Sequence, residues 1–367
     1  MMFNRLLLIC CCLLLLLTAP QSSSFNKGDS ETTSRKPFAA ANTVSPAAIS
    51  IDTYLQENQF QGTILIADRG TILLNKGYGM ARTNENIPNH PQTIFRIASL
   101  TKAFTALAIM QLQEAGKLHV QDPLSRYLPD MKAGDQMTIH QLLAHLSGLP
   151  REFEEEVWDD PAKRLQEKLQ TDFTLQSEPG KTYSYSNVGY VILGHLIEKV
   201  SGQAYEDYMK EHIFEPLKMK HTFVESYIDL ELDEQAEGYE TNLFGFRRPV
   251  DFFRSDPGPG GISSTVEDLY LWDRALYSNQ LASMETRNAL FADHDPSMGA
   301  YGYGWGIDIT NSGVYSHQGY IPGFYSFISR DTEKQQTVIV LSNHGEEGYN
   351  LFEQREVHQL IEKLFNE

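Results

Sequence analysis

Beyond residue 12 the chain contains no cysteine; its three cysteines are the consecutive Cys10, Cys11 and Cys12. No disulfide framework can hold the downstream region together, so a hydrophobic core has to. Positive charge is scarce as well. Thirty Lys and Arg face 48 Asp and Glu, a formal net charge of −18 over 367 residues. That argues against a nucleic-acid partner, since a polyanion is repelled, and disfavours docking on anionic lipid. The 11 histidines include no His-Glu-x-x-His or comparable spacing, so no metal and no other cofactor is expected. A Gly-x-Ser-x-Gly elbow is missing, which argues against an α/β-hydrolase sheet. Gly180-Lys181-Thr182 ends like a phosphate loop, but Leu175 stands where that loop needs glycine. Gly302 to Gly306 lacks the spacing of a dinucleotide fingerprint.

One long apolar run is present. Leu6 to Leu17 is unbroken over 12 residues, too short for an ordinary membrane span. With Arg5 before it and small polar residues after it, residues 1–24 read as an export signal cut near Ser24. The protein is then periplasmic or extracellular, or tethered through an uncleaved signal. Residues 25–50 are rich in Ser, Thr, Ala and Asn and read as a flexible linker. Residues 51–367 read as a single domain; the hydrophobic content of the whole sequence, 41%, is ordinary for a globular protein.

Within that domain, Gly62 to Ala67 and Thr71 to Asn75 flank the turn Asp68-Arg69-Gly70, a hairpin pattern. A helix is expected from Ser99 to a C-cap at Gly116. Residues 118–260 carry mostly helical and loop patterns. Strand patterns return at Trp305–Ile309, Phe324–Ser329 and Thr337–Ser342, and an amphipathic helix over residues 349–365 closes the chain. Strands near both ends around a helical middle indicate an α+β fold. In it an antiparallel sheet is flanked by helices, with a helical subdomain inserted over roughly 118–260.

The chemistry gathers at Ser99-Leu100-Thr101-Lys102. Residues i and i+3 share a helix face, so Lys102 lies beside Ser99. An amine in a site that disfavours its ammonium form can take the hydroxyl proton and turn Ser99 into a nucleophile. Backbone N–H groups at the helix start can stabilise developing negative charge. Downstream, Tyr185-Ser186-Asn187 follows the turn Glu178-Pro179-Gly180. Tyr185 is a second candidate base if cationic neighbours favour its phenolate. Asn187 can hold Lys102 through its side-chain oxygen, bind a substrate amide, or cap the following helix. His317-Gln318-Gly319 precedes the turn Pro322-Gly323, and Gly319 lets backbone and substrate approach closely. His145, in an apolar segment, reads as a satisfied structural histidine.

Ser-x-x-Lys, Tyr-Ser-Asn and His-x-Gly, in that order, resemble the serine β-lactamase and penicillin-binding-protein superfamily. Three phrases agree: Leu142 to Pro150, Gly260 to Leu269, and Tyr301 to Gly306. The resemblance is greatest to the branch of class C β-lactamases, D-alanyl-D-alanine carboxypeptidases and related esterases. It implies a β-lactamase/transpeptidase-like fold with the active site in the cleft between sheet and helical part. It implies catalysis by Ser99, Lys102 and Tyr185, and substrate binding by Asn187, His317, Gly319 and Tyr320. The backbone N–H of Tyr320 would be the second oxyanion donor beside that of Ser99. The activity implied is that of an exported acyl-enzyme hydrolase acting on a D-amino-acid peptide, ester or amide, with peptidoglycan fragments or β-lactams as ligands. The alternatives are a class C-like β-lactamase and a non-catalytic peptidoglycan sensor. Many β-lactamases carry lysine where His317 stands. A histidine charged only below about pH 6.5 favours a peptidase or esterase, with anionic substrates acylated faster below that pH. The oligomeric state is not legible.

Overall fold

The computed structural model describes residues 45–153, 169, 174–225, 234–242, 246–250, 256–294 and 300–366. The apolar leader, its cysteines and nearly all of the expected linker lie outside the described residues.

Helix α1 (Pro46–Glu57) starts under Ser45, whose hydroxyl accepts the Ala48 N–H at 3.2 Å. Residues 46–50, expected in the linker, are therefore helical: Pro46 suits a first turn, and Ala47 and Ala48 are buried. The expected hairpin follows as β1 (Gly62–Asp68) and β2 (Thr71–Tyr78). Arg69 and Gly70 both take positive φ, 46° and 83°, which is what a tight two-residue hairpin turn requires. A small hairpin of β3 (Met80–Arg82) and β4 (Ile87–Pro88) precedes β5 (Phe95–Arg96). A 3-10 turn, Ala98–Leu100, then runs directly into α2 (Thr101–Glu114). Gly116, with φ 67°, closes that helix as expected.

The region 118–260 contains α3 (Ile139–Leu143), α4 (Asn187–Ser201), α5 (Tyr205–Met209), α6 (Glu215–Leu217) and α7 (Pro257–Gly260). It also holds short strands that its helical pattern conceals: β6 (Phe223–Val224), β7 (Tyr239–Thr241) and β8 (Arg247–Pro249). The chain returns through β9 (Ile262–Ser264), α8 (Val266–Ala275) and α9 (Met284–Phe291). Then come β10 (Gly306–Ile307), β11 (Val314–Ile321), β12 (Phe324–Asp331) and β13 (Gln336–Ser342).

These four join the first hairpin in one six-stranded sheet of order β10-β11-β12-β13-β1-β2, antiparallel throughout. The seam between chain ends is β13 on β1, from Gly62 opposite Ser342 to Asp68 opposite Gln336. The closing helix divides in two, α10 (Gly345–Phe352) and α11 (Arg355–Phe365), because Gln354 between them is extended at ψ 132°. The Tyr54 hydroxyl donates to Gln354 Oε1 at 2.7 Å and fixes that break against α1.

Both faces of the sheet are buried at its central strands β1 and β13, so β1 reads as a continuous apolar run. Ile64, Ile66, Val338 and Val340 pack in one core with α1 and α11. Leu65, Ala67, Ile339 and Leu341 belong to the other, which holds α2 and α8. Eleven of the 14 residues of α2 are buried. A polar group on such a helix must find a partner or be costly. Phe104 stacks on Trp272 at 4.0 Å, and Trp272 on Trp305 at 5.5 Å.

One contact sets the depth of this helix. Thr105 Oγ1 donates to Gly258 O at 2.7 Å and accepts from the Tyr205 hydroxyl at 2.7 Å. Gly258 in turn lies so close to α4 that a Cβ there would sit 2.1 Å from Tyr190 O. Gly258→Ala is expected to destabilise the protein by ~1–3 kcal/mol, the usual cost of overpacking. A urea titration reads this as a lower midpoint; an unchanged midpoint would show that the turn yields freely.

Candidate active site

The turn bearing Ser99 is wedged between two sheets. Ile97 N–H donates to Ile262 O at 3.0 Å on one side. On the other, Ser326 Oγ donates to Ile97 O at 2.7 Å. Ala98 is held at φ 47°, a conformation that costs a non-glycine residue energy and persists only where its surroundings impose it. Beyond this turn, Lys102 Nζ lies 3.1 Å from Ser99 Oγ and 3.1 Å from Pro259 O. Lys102 is 0% exposed. Burial pulls its pKa from 10.5 down to about 7; Glu152 opposes the shift and Arg151 adds to it. The amine is thus available as a base near neutrality.

Tyr185 reaches the same hydroxyl through a side-chain hydrogen bond with Ser99. Its ring centroid lies 4.9 Å from Lys102 Nζ and 5.3 Å from the Arg151 guanidinium. These cations do not make it a phenolate. Burial outweighs them and raises its pKa above the ordinary value, so Tyr185 is a neutral phenol at ordinary pH. The expectation of a phenolate base is corrected on that ground.

Asn187 is the first residue of α4 and not its cap. Ser186 caps the helix, accepting the Gly189 N–H at 3.0 Å. The Asn187 amide donates to the Glu152 carboxylate, and its Oδ1 is buried without a hydrogen-bond partner. The oxygen therefore does not hold Lys102. Two backbone bonds lay residues 145–151 along this segment: Ser184 N–H to His145 O and Asn187 N–H to Arg151 O, both 2.8 Å.

Gly319 stands on β11 against the Ser99 turn. A Cβ there would sit 2.4 Å from Ser326 Oγ, 2.5 Å from Ile97 O and 2.9 Å from Ser99 N. Only glycine admits the strand this close. Beside it, β10 pairs with Tyr315 and Ser316 alone, so no described strand covers the outer edge of β11 from His317 onward. Tyr320 lies on that edge stretch, opposite Tyr325, with its side chain 52% exposed.

His317 is buried and both its ring nitrogens are engaged. Nδ1 donates to Gln318 O at 2.8 Å, since a carbonyl only accepts, and Nε2 accepts from the Tyr301 hydroxyl at 3.0 Å. Burial, with the Lys102 charge, pushes its pKa down to about 3. The expected contact with a substrate carboxylate, and the gain below pH 6.5, are not met by this geometry. His145 proves more central than its apolar context suggests. Its ring packs 4.2 Å from that of Tyr185, and its Nδ1 accepts the Ser186 N–H at 3.1 Å. Arg151, Glu152, Tyr301 and the Pro259 carbonyl also enter the site unforeseen. Their only sequence signal is adjacency to the phrases around His145, Gly260 and Tyr301.

Similarity to known proteins agrees with this arrangement. The family model described as Beta-lactamase matches residues 50–360. This chain belongs to the β-lactamase family of serine hydrolases. Within the family, PbpX of Bacillus subtilis (strain 168) is 35% identical over 297 residues, covering 80% of this chain and 73% of that protein. A penicillin binding protein from Bacillus halodurans superposes with a TM-score of 0.74 at 29% identity, over 82% of this chain and 97% of its own. An octameric penicillin-binding protein homologue from Pyrococcus abyssi gives 0.73 at 29% identity, over 83% and 74%. The fold is the β-lactamase/transpeptidase-like α+β fold expected from the motifs.

Because its folded pKa is depressed, His317 stays neutral down to about pH 4. Its side-chain ¹⁵N shifts are expected to be constant between pH 5 and 8, with Nδ1 protonated. A titration in that range would overturn the neutral, doubly bonded ring.

Proposed function

We propose that this chain is an exported serine hydrolase that forms an acyl-enzyme on Ser99. Its substrate is a D-amino-acid peptide, ester or amide, as for a D-alanyl-D-alanine carboxypeptidase or related esterase. Residues 1–24 act as the export signal, and the domain from residue 51 carries the activity, with residues 118–260 forming one wall of the cleft. The observation that carries the reading is Ser99 Oγ lying within hydrogen-bond reach of both a buried, readily deprotonated amine and a neutral phenol.

The step follows from those groups. Neutral Lys102 takes the Ser99 proton as Oγ attacks the carbonyl carbon. The oxyanion faces the N–H groups of Ser99 and Tyr320. Tyr185, still carrying its proton, hands it to the leaving group and is reprotonated from Lys102. Water then releases the acyl group by the reverse relay. The buried, unpartnered Asn187 Oδ1 is left to accept an N–H of the substrate. A class C-like β-lactamase is the second reading, supported by the family match and by the Bacillus halodurans relative, named for penicillin binding. The absence of a fixed cation at His317 favours slow β-lactam turnover.

A fluorophosphonate probe followed by peptide mass spectrometry is expected to place the adduct on Ser99; labelling that survives Ser99→Ala would refute the assignment. Fast nitrocefin hydrolysis would select the β-lactamase reading instead.

The pH profile tests the base. A Lys102 pKa lowered to about 7 means that the reactive amine accumulates as pH rises. The kcat/KM for a neutral ester should climb ~tenfold per unit below pH 7 and level off above pH 8. A profile flat from pH 5 to 9 would exclude Lys102 as the base.

A further inference from the structure

We infer that Arg151 is a specificity-determining residue that binds a substrate carboxylate by displacing Glu152 from the guanidinium and from Asn187. The inference deepens the function proposed above and rests on acylation at Ser99.

An anionic substrate needs a cation near the scissile bond, and the usual position does not supply one. Both His317 nitrogens are committed to protein partners. Lys102 is wholly buried and bonded to Ser99 and Pro259. Arg151 differs on each point. Its side chain is 72% exposed, and its guanidinium carbon lies 5.3 Å from the ring centroid of Tyr185, whose hydroxyl reaches Ser99. Its backbone is held: Arg151 O accepts the Asn187 N–H at 2.8 Å. The guanidinium thus lies beside Tyr185 on a side chain that is mostly exposed.

The chain supplies its own stand-in for the ligand. The Glu152 carboxylate accepts a hydrogen bond from Asn187 Nδ2 and lies 3.9 Å from Arg151 Nε. A carboxylate thus fits between the amide and the guanidinium. The Glu152 side chain is itself 61% exposed, so its ion pair with Arg151 is weak and easily exchanged. A substrate carboxylate entering there meets the same two donors, in a site that the substrate itself dries. Arginine suits this task because its planar fork can meet both carboxylate oxygens. The net charge of −18 repels anions at a distance, so a local cation at the mouth has more to offset than in a neutral protein.

The test compares benzylpenicillin, which carries a carboxylate, with its uncharged methyl ester. The second-order rate of Ser99 acylation by each is followed by intact-protein mass spectrometry at pH 7.5. The wild-type protein is expected to favour the carboxylate form. Arg151→Ala should lower the carboxylate-to-ester ratio by ~10–100-fold, the range expected for a charge-assisted hydrogen bond. Arg151→Lys should keep part of the preference, and Glu152→Gln should raise it by removing the competing carboxylate. If Arg151 only packs on Tyr185, both rates fall together and the ratio holds, which overturns the inference. So does a wild-type protein acylated equally by both compounds, or by neither. The neutral fluorophosphonate separates the two levels. Failure to label Ser99 sinks the acyl-enzyme reading, whereas normal labelling with an unchanged ratio sinks only the role of Arg151.

Discussion

The structure turns on one buried amine. Lys102 sits on a helix enclosed on nearly every side, with Pro259 O and Ser99 Oγ as its hydrogen-bond partners. Holding its pKa near 7 instead of 10.5 corresponds to roughly 5 kcal/mol of bias against the charged form. The fold must supply that bias through packing, and the surroundings show how. Thr105 and Tyr205 draw the Gly258 turn onto α2. Phe104, Trp272 and Trp305 stack within the same core. The ring faces of Tyr185 and Tyr190 lie 4.9 and 5.6 Å from the nitrogen. They attract the cation, but burial outweighs them.

The two titratable partners of Ser99 are moved in opposite senses by the same cause. Burial disfavours charge, so it lowers the lysine and raises the tyrosine. The result is a neutral acceptor and a neutral donor on one hydroxyl, which is what a proton relay needs. His145 and His317 are kept neutral by the same dryness. Arg151 and Glu152, by contrast, keep most of their side chains in water.

Much of this was legible in the sequence where local pattern and packing coincide. The hairpin at Arg69-Gly70 follows from turn chemistry and the Ser99–Lys102 pairing from helix spacing, while the glycine at 319 came with the motif the family resemblance supplied. The ordered motifs brought the fold and family with them. The rest depends on long-range packing. Nothing local shows that His317 would be silenced by Tyr301, 16 residues earlier, or by its own neighbour's carbonyl. The apolar neighbours of His145 mark it as structural, but nothing local shows that the ring it packs against is Tyr185, 40 residues on. The split of the final helix at Gln354 rests on Tyr54, 300 residues away. The apolar run of β1 concealed its two faces because both are covered.

The Ser99 turn also depends on strands made long after it. Ser326 holds the Ile97 carbonyl, and Gly319 lies against the Ser99 amide. A ribosome has therefore finished the serine, the lysine and the tyrosine well before it delivers the segment that braces them. A nascent chain carries its reactive residues in the right order but without the strained geometry at Ala98 that presents the hydroxyl. The Ser99 turn gains its bracing contacts only once β11 and β12 pack against it. A chain that ends before β11 therefore lacks the contacts that hold Ala98 at its positive φ.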